Sequence, residues 1–271
     1  MAISIFRVTG NFMAEIGDVD LSKPLSEVDR EAIKAAFLRY SVLVFPDRWR
    51  MFFRQFPKEL EKLGLQSLPI VVIISVFIGA IMTIQTKLNT ENPMLPAYST
   101  GLVTRDTLLL EFSSTILCLI LAGKIGSNIA SEIGTMRITE QIDALEIMGV
   151  NSANYLILPK IVAFVVMMPF LVIFSMAVGL FGGYCVGMFT DIITTADYLL
   201  GIQYAFIPYY VFYSLVKSLV FAFLISSVAA YYGYYANGGA LDVGKASTNA
   251  VVNGSILILF FNLLITNIML N

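Results

Sequence analysis

The chain has 271 residues, of which 58% are hydrophobic and only 13% charged, with a formal net charge of −2. A globular domain usually carries about a quarter charged residues, so a water-soluble shell cannot be built around most of this chain, and a lipid bilayer is its expected solvent. The balance of 17 basic and 19 acidic residues offers no basic field for nucleic acid. The absence of histidine weighs against His-dependent triads and His-ligated metals, and two cysteines in apolar runs make neither a disulfide framework nor a thiolate metal site.

The first sixty residues contain no apolar run of the length that a cleavable signal peptide needs. The first strong period lies in DRWRMFFRQFPKELEKLG, where Trp49, Phe52, Phe53 and Phe56 recur at i, i+3, i+4 and i+7, and Arg50, Arg54 and Lys58 follow at spacing four. Aromatic rings on one side and basic groups on another mark a helix lying in the membrane interface. The plainer alternative is a soluble helix packed on a small N-terminal domain. Pro57 is expected to bend or restart the helix.

A helix needs about 20 mainly apolar residues to cross the hydrocarbon core. On that basis five spans are predicted, over about 63–87, 107–130, 160–189, 207–233 and 247–269. The second contains Glu111 and Lys124, and the fourth contains Lys217. The charge-free run 161–190 is longer than one crossing requires, which predicts a helix that tilts or extends past the core. Arg48, Arg50, Arg54, Lys58 and Lys62 precede the first span, and Lys124, Arg137 and Lys160 flank the connection between the second and third. Lys and Arg accumulate on cytoplasmic flanks, so the N-terminus is expected inside and, after five spans, the C-terminus on the periplasmic side. The predicted fold is an all-α integral membrane protein: an interfacial amphipathic helix, five transmembrane helices, and a short helix between spans two and three.

That short helix is predicted from EIGTMRITEQIDALEIMGV. Thr139 can cap it with Glu140 in the first turn, Ile138, Ile142, Leu145 and Met148 recur at helical spacing, and Gly149 supplies the stop. Glu140, Asp143 and Glu146 fall on another side. Periodicity alone fits either a connector with a solvated face or a surface offered to a partner.

The run LEFSSTILCLILAGKIGSNIASEIGTMRITEQIDALEIMGV, followed by NYLILPK, SLVKSLVFAF and GGALDVGKASTNAVV in order, resembles the MlaE (YrbE) family of ABC-transporter permeases over about residues 48–271. The resemblance implies a homodimeric permease in the bacterial inner membrane, bound by ABC ATPase subunits on its cytoplasmic side and by an MCE-domain lipid-binding protein on its periplasmic side. It implies movement of phospholipid between inner and outer membrane, which maintains outer-membrane lipid asymmetry, with ATP hydrolysed on a separate subunit and no cofactor or metal in this chain. It also implies that the helix carrying Glu140, Asp143, Leu145, Glu146 and Gly149 is the ATPase-coupling helix, and that Glu111 and Lys217 line a lipid-binding cavity. Leu110 departs from the arginine that related members can carry at that position.

Residues 1–47 depart from this pattern. EIGDVDLSKPLSEVDREAIKAAFLRYSVLVFPD is similar to the N-terminus of taurine-dioxygenase-like oxygenases, which implies a short strand, a helix capped near Ser26 and a strand at SVLVF. The iron-binding half of such an enzyme is missing and no histidine exists to rebuild it, so no oxygenase activity is expected. A fused or mis-assembled N-terminal segment ahead of a permease domain over 48–271 accounts for the pattern better.

Several motifs carry less than their pattern suggests. Gly239 to Lys245 has P-loop spacing, but Ala246 replaces the magnesium-binding hydroxyl and a membrane span precedes it. Gly179, Gly183 and Gly187 form a stripe that admits a close helix, within the chain or across a dimer. Tyr231, Tyr232, Tyr234 and Tyr235 read as an interfacial belt. A secondary transporter or channel, acting without ATP, is the alternative function; internal repeats or paired broken helices would mark it, and no repeat is found.

Overall fold

A computed structural model describes residues 4–9, 13–17, 26–40, 42–44, 48–90, 95–147 and 151–270. Strands β1 (Ser4–Thr9), β2 (Met13–Gly17) and β3 (Val42–Val44) form a small sheet in that order, β1 antiparallel to β2 and β2 parallel to β3. Helix α1 (Glu27–Arg39) starts where expected: the Ser26 hydroxyl accepts the Asp29 backbone N–H at 3.2 Å. Ala14, Ala36 and Tyr40 make its small core.

The rest of the described chain is helical. Helix α2 (Arg48–Leu63) runs without restarting through Pro57. Phe52 stacks on Phe56, Phe53 is exposed, and α2 lies against the third span. The side chains of Trp49, Arg50 and Arg54 lie outside the described residues. A 3-10 turn, Leu65–Ser67, joins α2 to the first span, α3 (Leu68–Asn89). The second span is α4 (Ser99–Ile138), followed by the short α5 (Gln141–Ile147), the third span α6 (Ala153–Phe189), a connecting helix α7 (Thr195–Gln203), the fourth span α8 (Pro208–Tyr234) and the fifth, α9 (Ala240–Leu270). Five helices thus have the length and apolarity to cross a membrane.

The small residues decide the closest packing. Ser75, Gly79, Thr83 and Thr86 make a buried stripe on α3, while Ile73, Phe77 and Ile81 point outward. The facing stripe of α6 is the glycine run of the sequence. A Cβ on Gly79 would lie 1.8 Å from Gly179 O, and one on Gly182 would lie 2.3 Å from Val76 O. Ser75 and Ser175 exchange a hydroxyl bond at 2.7 Å between them. The neighbour of Gly179 and Gly183 is therefore within the chain, because only backbone without side chains allows so close an approach. Gly187 meets Ile193 and Thr195 at the start of α7.

Two features go beyond the predicted elements. The connection after α6, to which no element was assigned from the sequence, holds α7, whose Thr194 cap accepts the Asp197 N–H and whose buried Tyr198 donates to Leu180 O at 3.1 Å. The second span is far longer than 107–130 and takes in Arg105, which is buried. Its guanidinium donates to the carbonyls of Ile202 at 2.8 Å and Tyr204 at 2.7 Å and pairs with Asp106 at 2.7 Å. A charge that finds carbonyls to cap needs no water, which is why Arg105 does not end the helix.

The core lies where α4, α6 and α8 meet, with Leu117, Leu121, Ile125 and Ile129 against Phe164, Met168, Phe221 and Ile225. Helix α9 buries only one narrow face, through Val243, Ala246, Ala250, Gly254 and Ile258, and leaves Val252, Ile256, Leu259 and Leu263 exposed.

Candidate functional site

The central part of α4 is not a regular α-helix. Leu108–Ile116 is π-helical, and this wider turn frees carbonyls for bonds outside the helix. Leu109 O accepts the Ser214 hydroxyl, and Leu110 O accepts Lys217 Nζ at 3.3 Å, both from α8. Glu111 follows on the same widened turn. Its Oε1 receives Lys217 Nζ at 3.0 Å, and its Oε2 receives Thr115 Oγ1 at 3.0 Å and Asn262 Nδ2 at 3.2 Å. Lys217 also donates to the Tyr213 hydroxyl at 3.1 Å and sits 4.7 Å from the centre of its ring. Tyr213 in turn shares a hydroxyl bond with Thr266 at 2.7 Å.

Both predicted membrane charges are thus brought together. Lys217 is the tenth residue of α8, about 15 Å from its start at 1.5 Å per residue. The lysine side chain is 0% exposed and the carboxylate 38% exposed. A buried ammonium is tolerable only when paired and fully bonded, and here a carboxylate, a carbonyl and a phenol surround it. The carboxylate side remains open, flanked by Thr115 and Asn262, whose Oγ1 and Oδ1 lie 3.1 Å apart. The arrangement is a neutral node with an accessible acceptor face in an apolar setting.

The sequence reading missed Tyr213, Thr115, Asn262 and Thr266. A signal existed: each of three spans contributes one polar pair at i, i+4, namely Glu111 and Thr115, Tyr213 and Lys217, Asn262 and Thr266. Such pairs share one helix face.

Helix α5 forms where predicted, but its start is built differently. The Thr139 hydroxyl donates to Thr135 O at 2.8 Å and so closes α4 rather than opening α5. Glu140 has a φ of 58°, the left-handed conformation that ends a helix, and its N–H bonds Arg137 O at 3.1 Å. Ile142 is buried and Leu145 packs on the core. Glu140 is exposed. Asp143 and Glu146 are accessible to solvent, and each is also bonded within the chain: Arg137 pairs with Asp143 at 2.7 Å, while Tyr234 and Ser152 donate to Glu146 Oε1 at 2.8 Å and 2.9 Å. Those two hydroxyls, Tyr234 first, hold the Glu146 carboxyl below the usual carboxylate range. The exposed residues here are Glu140, Gln141, Ala144, Glu146 and Ile147. Met148 and Gly149 lie outside the described residues.

At the same end of the bundle, Lys160 is almost fully buried and bonds Glu59 at 2.6 Å and Glu132 at 2.9 Å, while Lys62 reaches Glu132 at 2.7 Å. This two-plus-two cluster fastens α2 to α4 and α6. The remaining tempting motifs are structural. Lys245 pairs with Asp242 at 3.0 Å, and Asp242 also accepts the Gly239 N–H at the start of α9. Tyr231 and Tyr235 are exposed as a belt would be, but Tyr234 is committed to α5. Among the described residues, no three His, Cys, Asp or Glu side chains are grouped to hold a metal.

The profile of the family described as Permease MlaE matches residues 56–268. A probable ABC transporter permease protein of Rickettsia bellii is 39% identical over 80% of this chain and 84% of its own length. One from Rickettsia prowazekii is 38% identical over 78% and 81%. The intermembrane phospholipid transport system permease protein MlaE of Haemophilus influenzae is 28% identical over 96% of this chain and 97% of its own. With its five membrane-spanning helices and this match over most of its length, the chain belongs to the MlaE permease family.

Proposed function

We propose that the chain is the membrane subunit of an ABC transporter that moves phospholipid between the inner and outer membranes, and that a separate subunit hydrolyses the ATP. The observation that carries this reading is the half-open node of Glu111 and Lys217 on a π-widened span. Ionisable groups at membrane depth cost several kcal/mol unless they face a cavity or a partner. A phospholipid headgroup that carries hydrogen-bond donors, an ammonium or a hydroxyl, can bond the open acceptor side of this node while the apolar spans around it hold acyl chains. The name of the Haemophilus influenzae relative, an intermembrane phospholipid transport permease, supports the same substrate.

In this reading α2, α5 and the cluster around Lys160 face the cytoplasm, which agrees with the Lys and Arg bias of those flanks. Helix α5 docks on the ATPase, with Glu140 and Ile147 outermost. The thinly buried α9 supports a homodimer, since its exposed residues would otherwise meet only lipid. An MCE-domain lipid-binding protein would sit on the periplasmic side, and residues 1–47 would be an atypical segment ahead of the permease domain, 48–271. The test is reconstitution of the chain with its copurified ATPase. Phospholipid transfer between vesicles should require ATP, and Glu111→Ala and Lys217→Ala should each lower it about tenfold while still inserting and holding the ATPase. Transfer that proceeds equally without ATPase would instead identify a secondary transporter or channel.

A further inference from the structure

The bond between Glu146, Ser152 and Tyr234 joins three elements that could move separately. Tyr234 is the last residue of α8, Glu146 lies in the final turn of α5, and Ser152 immediately precedes the π turn that opens α6. Tyr234 and Ser152 hydroxyls are 3.0 Å apart and both donate to Glu146 Oε1. Arg137, at the end of α4, pairs with Asp143 of α5 and lies 5.8 Å from the centre of the Tyr234 ring. A displacement of α5 must therefore break these bonds or carry the ends of the spans with it.

The two routes upward differ in stiffness. Helix α6 contains Pro169 and a run of glycines from Gly179 to Gly187, the residues at which helices bend. Helix α8 has neither Pro nor Gly from Pro208 until Gly233, next to Tyr234. There it is held close to α4, since a Cβ on Gly233 would lie 2.7 Å from Ala130 O. Lys217 is seventeen residues along the same helix from Tyr234, about 25 Å at 1.5 Å per residue.

We infer that Tyr234 is a positioning residue for transport: its hydroxyl, donating to Glu146 beside Ser152, passes motion of α5 into the rigid α8 and so to Lys217 and the node it forms with Glu111. This rests on the reading of α5 as the ATPase-docking helix. Tyr234 acts through the helix that carries Lys217. Charge-assisted bonds of this kind are the stronger ones in proteins, and loss of one member of such a network alters coupling between sites by a few-fold to tenfold or more.

The experiment uses the full complex in vesicles and measures four quantities: ATPase copurification, ATP turnover, phospholipid transferred per ATP, and thermal midpoint. Tyr234→Phe keeps the ring and removes only the hydroxyl. It should leave copurification and thermal midpoint unchanged and lower phospholipid moved per ATP about threefold or more. Ser152→Ala should act in the same direction. Glu146→Gln, which retains an acceptor at Oε1, should keep more of the transfer ratio than Glu146→Ala. A wild-type transfer ratio in Tyr234→Phe overturns the inference, and so does loss of copurification, since Tyr234 would then only shape the docking surface. A double variant, Glu140→Lys with Ile147→Glu, separates the two readings. If it keeps the ATPase, the docking assignment fails and takes the inference with it. If it sheds the ATPase while Tyr234→Phe transports normally, only the inference fails.

Discussion

Replacing Lys217 by methionine removes the charge while roughly keeping the volume, so its effect reports the polar bonds of the node rather than a cavity. The ammonium bonds Glu111 at 3.0 Å, Tyr213 at 3.1 Å and Leu110 O at 3.3 Å, with no exposure to solvent. A hydrogen bond to a charged group contributes about 1.5–3 kcal/mol in soluble proteins, whereas polar contacts within membranes average nearer about 0.6 kcal/mol. Glu111 is left with Thr115 and Asn262 as donors and with an open side, so it is not stranded. These considerations put Lys217→Met at about 2 kcal/mol destabilising, well short of the ~3–5 kcal/mol for breaking a fully buried pair. Glu111→Gln should cost about 1 kcal/mol. In the double variant the two losses should overlap, leaving a coupling of about 1 kcal/mol. Unfolding of the purified chain by SDS in mixed micelles, followed by loss of helical circular dichroism, gives each value. Additivity within about 0.3 kcal/mol would refute the pair as an energetic unit.

Other consequences follow from the same geometry. Gly182→Val should prevent stable packing of α3 on α6, because the new Cβ would lie 2.3 Å from Val76 O, and folded yield in detergent should collapse while Gly244→Ala, in open space, behaves as wild type. Arg105→Gln should loosen the segment it caps and expose the chain between residues 200 and 207 to limited proteolysis at a rate at least about tenfold higher, with the five spans intact. The Glu146 carboxyl titrates below its ordinary value because Tyr234 and Ser152 donate to it. The stability this gives is present above the unfolded value of about 4.3 and lost as pH falls through the folded value. The protection factors for hydrogen exchange over 141–147 should therefore fall below about pH 4.3, and Tyr234→Phe should shrink that pH-dependent fall. A fall of the same size in the variant would remove Tyr234 as the cause.

Apolar length made the five spans legible, three of them free of charge between their ends, and the ionisable residues within the other two included Glu111 and Lys217. Their partners were not legible, since pairing across α4, α8 and α9 depends on how helices rotate against one another, which sequence spacing does not encode. The same reason hid Lys160 and Arg105. Both look like charges that mark a boundary, and both are buried because carboxylates or carbonyls from distant segments surround them. The start of α5 was misplaced because Thr139 has the chemistry of a cap for either helix, and only the left-handed Glu140 shows that it closes α4. The glycine stripe of α6 was readable as a close contact but not as one with α3, because small residues specify distance without naming a neighbour.

The central claim, that phospholipid passes the node formed by Glu111 and Lys217, is tested most directly by photocrosslinking in the intact complex. A photoreactive amino acid placed at Phe112, beside Glu111 on the π-widened turn, should capture phospholipid from the membrane. Capture should fall about tenfold when Glu111→Ala or Lys217→Ala is added, with insertion and ATPase binding unchanged. Equal capture in all three proteins, together with full transport, would show that the pair holds the bundle together and lies off the lipid path.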